Sequence, residues 1–108
     1  MSRHNFLSEY QSMVASSRLT KTATATLTDA EVMAWRYIDA NHASVAIVLT
    51  FPTASAGNKG ACPVIVNKGA AATTFVLSGK TVTLAQYQSC AVNSDGAQWN
   101  FDHVASIA

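Results

Sequence analysis

The chain has 108 residues, of which 12% are charged and 49% are hydrophobic, and its formal net charge at pH 7 is +1. An average soluble domain carries about 25% charged residues. The lower value here excludes the basic surface of a nucleic-acid-binding protein and a polybasic membrane anchor. It also leaves little charge repulsion between copies of the chain to oppose self-association. The length suffices for one domain with its own core, and no apolar run approaches the about 20 residues that cross a bilayer.

Residues 1–19 have the character of an arm. Phe6, Tyr10, Met13 and Val14 lie on one side of a helical repeat, which predicts a helix with an apolar stripe. Because so short a helix is marginal alone in water, we expect it to pack on its own domain or on a partner. The segment lacks the apolar centre of a secretory signal, so we expect a protein made in the cytoplasm.

From residue 20 onward the pattern is that of short strands. Threonine alternates with other residues over 20–27, and alternation with β-branched residues is typical of a strand. Thr28 and Glu31 have the spacing of a capping box, which predicts one helical turn. Asp95 and Gly96 mark a tight turn, because Asp-Gly suits positive φ angles. The predicted strands cover residues 20–27, 32–39, 44–51, 62–67, 73–78, 81–84, 86–93 and 97–101.

This succession predicts an all-β fold. Short strands at intervals of about 8–12 residues, with turn signals between them, are typical of a β-sandwich or barrel. No helix is long enough for the crossover of a βαβ unit, which argues against a parallel α/β sheet. We therefore expect an antiparallel β-sandwich or jelly-roll-like domain over residues 20–108, which ends in a short tail and follows the N-terminal arm at 1–19.

The residues that commonly carry chemistry form no catalytic pattern. Asp29 and Glu31 lie at the start of the predicted helical turn, where carboxylates complement the helix dipole, so we interpret them as capping groups. His4, His42 and His103 have no closely spaced pairing, and neither a GxSxG motif nor a phosphate-binding glycine loop occurs. We therefore expect no enzyme, no catalytic residue, no metal ligand and no cofactor. A metal ion held by one histidine per subunit on a threefold axis stays open.

The cysteines and the aromatic residues have several possible roles. Cys62 and Cys90 are interpreted as small buried hydrophobic residues, with a disulfide or a reactive thiol as alternatives. The aromatic side chains are interpreted as core, with a subunit interface or an exposed platform for a sugar ring as alternatives. The aromatic residues assigned to strands are Trp35, Tyr37, Phe51, Phe75, Tyr87, Trp99 and Phe101.

Several short motifs carry a resemblance to known proteins. An N-K-G turn (67–69), a T-V-T-L strand (81–84) and an S-D-G-x-x-W hairpin (94–99) follow one another, after T-A-T-L-T-D-A-E (24–31) and S-V-A-I-V-L-T-F-P (44–52). Over residues 20–101 their order and spacing resemble the small β-rich modules of tailed-phage virion proteins. Such modules occur as capsid decoration (cement) proteins and as domains of tail fibres and spikes, and they are commonly trimers without enzymatic activity.

Because the module follows only a short arm, the resemblance favours a decoration protein. It implies a homotrimer on the outside of a phage capsid that binds the major capsid protein and stabilises the shell, with no nucleic acid, membrane or cofactor involved. The alternative is a tail- or head-fibre domain that binds a host-surface glycan through exposed aromatic side chains. The arm residues expected to contact the capsid or a neighbouring subunit are Phe6, Leu7, Tyr10 and Met13.

Overall fold

The computed structural model describes residues 17–101 and 104–106. The predicted arm helix and the predicted arm contacts Phe6, Leu7, Tyr10 and Met13 lie outside these residues. The described chain forms one short helix and ten strands. In chain order they are β1 (Arg18–Lys21), β2 (Ala25–Thr26), α1 (Asp29–Ala34), β3 (Tyr37–Ala40), β4 (Ile47–Thr50), β5 (Val64–Asn67), β6 (Thr73–Leu77), β7 (Lys80–Leu84), β8 (Gln88–Ser94), β9 (Trp99–Phe101) and β10 (Ala105–Ser106).

The strands form two mixed sheets. The first has the order β1-β3-β5-β8-β10, with β9 also paired to β8, and the second has the order β2-β4-β6-β7. The pairs β1–β3, β3–β5, β2–β4 and β4–β6 are parallel, whereas β5–β8, β6–β7, β8–β9 and β8–β10 are antiparallel. The predicted all-β class is therefore confirmed, and the predicted antiparallel pairing is wrong for the four pairs formed among the first six strands.

The parallel pairs arise because the chain alternates between the sheets. Strands β1, β3 and β5 belong to the first sheet, and β2, β4 and β6 belong to the second. A parallel pair needs a connection that returns the chain to the same end of the sheet. Here a strand of the other sheet makes that return, as a helix does in a βαβ unit. The lack of a long helix in the sequence therefore does not exclude parallel pairing.

The threonine-rich segment 20–27 is divided between the two sheets and is not one strand. Strand β1 ends at Lys21, and β2 begins at Ala25. The segment has mainly threonine and alanine side chains, which bury too little apolar surface to hold all eight residues in one sheet. Strand β1 begins at Arg18, so the last two residues of the predicted arm belong to the first sheet.

Helix α1 begins at the predicted capping box. The Thr28 N–H donates to Glu31 Oε1 over 3.0 Å, and the Glu31 N–H donates to Thr28 Oγ1 over 3.2 Å. The helix continues to Ala34, so the strand predicted over 32–39 starts only at Tyr37. The buried side chain of Val32 explains the difference, because a helical turn directs it into the core.

Side chains from both sheets form one apolar core. Ile38 and Ile65 of the first sheet and Leu49 and Phe75 of the second are each completely buried. These residues occupy alternate positions of their strands, so each sheet presents one face to the core and the other outward. Of the predicted aromatic core, Phe51, Phe75 and Trp99 are confirmed.

The N-K-G turn is built around a buried amide. The Asn67 Nδ2 donates to the carbonyl oxygens of Ala71 and Leu84, both over 2.9 Å, and Asn67 Oδ1 accepts the Gly69 N–H over 2.9 Å. A Cβ atom at Gly69 would lie 2.3 Å from the backbone nitrogen of His42. Only glycine allows the two backbone segments to approach this closely.

Candidate functional site

The outer face of the second sheet carries only threonine and valine. Because Leu49 and Phe75 point into the core, the residues that alternate with them along the strands point outward. These outward side chains are exposed or half-buried, and we call them the threonine face. Its members are Thr26, Val48, Thr50, Thr74, Val76, Thr81 and Thr83.

No strand of this sheet contributes a charged side chain to the threonine face. Lys80 is the charged residue of β7, but it pairs with the inward Leu77, and its Nζ donates to the Trp99 carbonyl oxygen over 3.3 Å. On the face itself the Thr74 and Thr83 hydroxyl oxygens lie 3.2 Å apart, so one donates to the other. The result is an uncharged surface of methyl and hydroxyl groups.

The outer face of the first sheet differs, because it holds a buried carboxylate. Asp39 of β3 is 1% exposed. Arg18 of the edge strand β1 donates to it twice, from Nε to Oδ2 over 2.8 Å and from Nη2 to Oδ1 over 2.9 Å. Lys68 Nζ lies 3.4 Å from Oδ2, and the guanidinium carbon of Arg18 lies 4.2 Å from the ring centroid of Tyr37. We call Arg18, Tyr37, Asp39 and Lys68 the anchor cluster.

The anchor cluster is suited to holding β1 in place. The hydrogen bonds to Asp39 raise the pKa of Arg18, so the guanidinium keeps its charge at any physiological pH. Both carboxylate oxygens of Asp39 are engaged by Arg18, which favours a structural role over proton transfer. The cluster therefore fixes the first residue of β1, Arg18, to the neighbouring strand β3.

A cleft of about 240 Å³ lies where three parallel strands begin. It is lined by the residue that precedes β1, Ser17, and by residues that lead into β3 and β5, Arg36 and Cys62. These approaches are held together, because the Tyr37 N–H donates to the Ser17 carbonyl over 3.0 Å and the Val64 N–H donates to the Arg36 carbonyl over 2.8 Å. We call this space the strand-start cleft. Its remaining lining residues are Val32, Met33, Ala34, Trp35, Gly60 and Ala61.

The two carboxylates interpreted as capping groups have structural partners. Glu31 caps α1, as predicted, and its Oε2 lies 2.9 Å from Lys21 Nζ. The hydrogen bond from Lys21, together with that from the Thr28 N–H, lowers the pKa of Glu31. Asp29 also lies in the first turn, and its Oδ1 accepts a hydrogen bond from Asn58 Nδ2 over 2.9 Å, which joins the helix to the loop 53–60.

The histidines and cysteines are dispersed. His42 Nδ1 accepts the N–H groups of Ser44 and Val45, over 3.2 and 2.9 Å, whereas His4 and His103 lie outside the described residues. Among the described residues, no three His, Cys, Asp or Glu side chains are placed to hold one metal ion. Cys90 is buried, as predicted, but Cys62, in the segment before β5, is exposed and forms no disulfide.

Three of the aromatic residues that were predicted to lie in strands and form the core lie outside the core. Trp35 ends α1 and lines the strand-start cleft, so it does not belong to a strand. Tyr87 and Phe101 are 44% and 40% exposed. Trp99 is completely buried against Phe51, with ring centroids 5.0 Å apart, and its indole N–H donates to the Pro52 carbonyl over 2.8 Å. Trp99 therefore cannot serve as a platform for a sugar ring.

The sequence interpretation did not identify the buried polar side chains of the described residues, among them those of Asn58 and Asp39. Asn58 is completely buried, and its Oδ1 accepts from Ser94 Oγ over 2.6 Å and from the Ser55 N–H over 3.1 Å. No pattern around Asn58 distinguishes it from an exposed loop residue. Asp39 did carry a signal, since it is a charged residue within a predicted strand.

Comparisons with known proteins bear on the fold alone. The sequence matches no protein-family model and no curated protein. Among solved structures, the fold is similar to the fragment StcE(132-251) of enterohemorrhagic E. coli, with a TM-score of 0.52 and 16% sequence identity over 78% of this chain and 89% of that fragment. Among the described residues, no helix has both the length and the apolar composition needed to cross a membrane.

Proposed function

We propose that the chain is a structural virion protein that binds the outside of a phage capsid, as a homotrimeric decoration protein, and stabilises the shell without catalysing a reaction. In this proposal the two sheets pack as a β-sandwich, whose outer faces are available for contacts. The observation that carries the proposal is the threonine face, supported by the resemblance of residues 20–101 to phage virion modules.

An uncharged face is well suited to permanent burial against another protein. Burying a lysine or a carboxylate costs several kcal/mol unless the charge is paired, whereas hydroxyl and methyl groups are buried at low cost when the hydroxyls find partners. Proteins that must stay apart usually place charged side chains on exposed sheets. The threonine face has none, which favours a buried partner surface over a solvated one.

The size of the face indicates that it does not act alone. Four strands at ~4.8 Å spacing and about four residues along each strand give a face of about 19 Å by 13 Å, or roughly 250 Å². A stable pairwise interface buries about 800 Å² per partner. Further contacts are therefore needed. We assign them to the N-terminal segment, through Phe6, Leu7, Tyr10 and Met13, and to the other copies of a trimer that bind the same shell together.

The test compares two variants that carry the same added charge. Thr81→Lys/Thr83→Lys adds two lysines to the threonine face, and Thr20→Lys/Thr22→Lys adds two lysines at exposed positions at or next to edge strand β1. Each protein is mixed with shells of the phage that encodes the chain, assembled without it, and the bound fraction is measured by co-sedimentation. We expect the first variant to bind at least about tenfold more weakly than the wild type, because desolvating one lysine costs more than about 1.4 kcal/mol.

The control variant is expected to bind as the wild type does. Equal binding by both variants would overturn the role of the threonine face, and wild-type chain that does not bind the shells would overturn the decoration function. The glycan-binding alternative depends on Trp35 among the two tryptophans, since Trp99 is buried. It would be supported if the chain were found at the tail of purified virions and not on the shell.

A further inference from the structure

We propose that strand β7 is the site at which two copies of this chain pair edge to edge, so that their second sheets join into one. Strand β7 lies at the end of that sheet and pairs with β6 alone. An exposed edge strand presents unpaired backbone N–H and C=O groups. Such groups select the extended backbone of another chain as their partner. The pairing is independent of the proposed function.

The turn between β6 and β7 determines which backbone groups point to the open edge. Its two residues, Ser78 and Gly79, have φ angles of 51° and 84°, as a type I′ hairpin turn requires. In such a hairpin the closing residues, Leu77 and Lys80, exchange both N–H···O bonds, and non-hydrogen-bonded pairs then alternate with hydrogen-bonded ones. The second and fourth pairs from the turn are therefore non-hydrogen-bonded, and their β7 backbone groups point away from β6.

The β7 residues of these two pairs are Thr81 and Thr83. Both residues are exposed. Among the described residues, no group outside the β6–β7 ladder donates to their backbone oxygens or accepts from their N–H groups. Two N–H groups and two carbonyl oxygens are thus available along this edge.

Strand β7 lacks the features that usually keep an edge strand from pairing with other chains. It has no proline and no bulge, and the Nζ of its charged residue, Lys80, donates to the Trp99 carbonyl oxygen over 3.3 Å. The other edges are shorter or more charged, since β1 carries Arg18 and Lys21, and β2, β9 and β10 have only two or three residues. With five residues, β7 is the edge best suited to pairing.

A second copy of β7 satisfies all the open groups in one register. In an antiparallel pair centred on Val82, Thr81 lies opposite Thr83 of the second copy, and Thr83 lies opposite its Thr81. Each of these two pairs exchanges both N–H···O bonds, and threonine side chains meet on the outer face, which is a favourable cross-strand pair. Lys80 lies opposite Leu84 of the second copy, so no like charges meet. Any other antiparallel register pairs fewer of the open groups with one another.

The size of the contact indicates that it acts together with other contacts. Five residues along an edge about 10 Å thick present roughly 170 Å², whereas a stable interface buries about 800 Å² per partner. The pair is therefore weak in dilute solution and becomes populated where copies are concentrated. In the homotrimer proposed above, a two-fold contact of this kind would join copies of neighbouring trimers and merge their threonine faces.

Disulfide trapping measures both the pairing and its register. All chains are full length and carry Cys62→Ser, because Cys62 is exposed. Thr81→Cys and Thr83→Cys are each oxidised with copper phenanthroline and air, alone and as an equimolar mixture in which one chain is isotopically labelled. In the proposed register Thr81 and Thr83 of the two copies have Cα atoms about 5.5 Å apart, whereas two copies of the same position lie more than about 8 Å apart. Because a disulfide cannot span more than about 7 Å, we expect at least about tenfold more linked dimer in the mixture than in either variant alone.

A second measurement uses the wild-type chain, so it does not depend on the folding of a variant. Amide hydrogen exchange is followed by NMR at chain concentrations from the micromolar to the millimolar range. We expect exchange at Thr81 and Thr83 to slow by at least about twofold over this range, as pairing buries their N–H groups. Val82 is the internal control, because its N–H is already bonded within the hairpin, and its exchange should change little.

Equal amounts of linked dimer in the mixture and in the single variants would overturn the proposed pairing. So would exchange at Thr81 and Thr83 that does not depend on concentration. Protection of these amides without the disulfide between the two variants would show a different partner strand, and would also overturn the proposal. Neither measurement involves capsid shells, so failure here is distinguished from failure of the proposed function.

Discussion

The anchor cluster provides a prediction that can be worked out from its distances. Asp39→Asn keeps the shape of the side chain but removes the charge that accepts from Arg18 Nε and Nη2 at 2.8 and 2.9 Å. Arg18→Met removes the other partner and leaves a carboxylate that is 2% exposed, with only Lys68 Nζ at 3.4 Å. Each single change therefore breaks a pair in which one partner is buried.

The expected changes in the free energy of unfolding differ because Asp39 is buried and Arg18 is partly exposed. A hydrogen bond to a charged group contributes about 1.5–3 kcal/mol, but Arg18 is 30% exposed, so solvent screens part of its contribution. We expect Asp39→Asn to lower the free energy of unfolding by about 2 kcal/mol, with Arg18→Met costing about 3 kcal/mol because the buried carboxylate loses its main partner. The double variant should cost about 3 kcal/mol, since no unpaired charge remains.

The assay is urea-induced unfolding followed by tryptophan fluorescence, in which the buried Trp99 reports loss of the core. A coupling free energy of about 2 kcal/mol between the two positions is expected. If the costs of the single variants simply add in the double variant, Arg18 and Asp39 do not stabilise the edge strand as a pair. Lys68→Met is the control, and because this side chain is 43% exposed it should cost under about 1 kcal/mol.

Three further changes test other parts of the structure. Gly69→Ala should destabilise the fold by at least about 3 kcal/mol, because the added Cβ would lie 2.3 Å from the backbone of His42. Thr73→Val should raise the melting temperature by several degrees, since the buried Thr73 hydroxyl has no hydrogen-bond partner and its removal gains about 1 kcal/mol. The pKa of Glu31 is lowered in the folded protein, first of all by the hydrogen bond from Lys21. Ionised Glu31 therefore stabilises the fold above about pH 4.5, and this stabilisation is lost as the pH falls through the pKa of Glu31 in the folded state. Glu31→Gln should flatten this part of the curve of stability against pH.

A similar substitution at another position serves as the control for each of these variants. Gly79→Ala has no atom within 4 Å of its added Cβ, so it should cost much less than Gly69→Ala, although the positive φ of Gly79 still opposes it. Thr81→Val, at an exposed position, should leave the melting temperature almost unchanged. Asp95→Asn should also flatten the acid limb, because hydrogen bonds from the Ala97 and Gln98 N–H groups lower the pKa of Asp95. A fully retained acid slope in Glu31→Gln would contradict the assigned ion pair.

Much of the second half of the chain could be predicted from local signals. Strands β5 to β9 lie within or close to the predicted segments, because turns such as Asp95-Gly96 separate short alternating runs, and Gly96 has the expected positive φ of 89°. The capping box at Thr28 likewise depends only on neighbours three residues apart. Such signals are read from sequence because the interactions that they report are local.

The pairing of strands could not be predicted in the same way. Whether two strands run parallel depends on which sheet receives the strand between them. That choice is made by burial of side chains from distant segments, such as Ile38 and Leu49, which belong to one core. The anchor cluster was missed for a similar reason, since Arg18 and Asp39 are 21 residues apart and lay in separately predicted segments. The threonine face was missed as well, because its members come from four separate strands and share a surface only once those strands are placed side by side.

In the proposed function, the threonine face is the surface that meets the capsid shell. The most direct measurement is a cryo-electron microscopy reconstruction of shells saturated with the chain. We predict density for three copies around local threefold positions, with β4, β6 and β7 turned so that Val48 and Thr74 face a neighbouring protein. A reconstruction in which Val48 and Thr74 face solvent, or in which the shell carries no added density, would contradict the account.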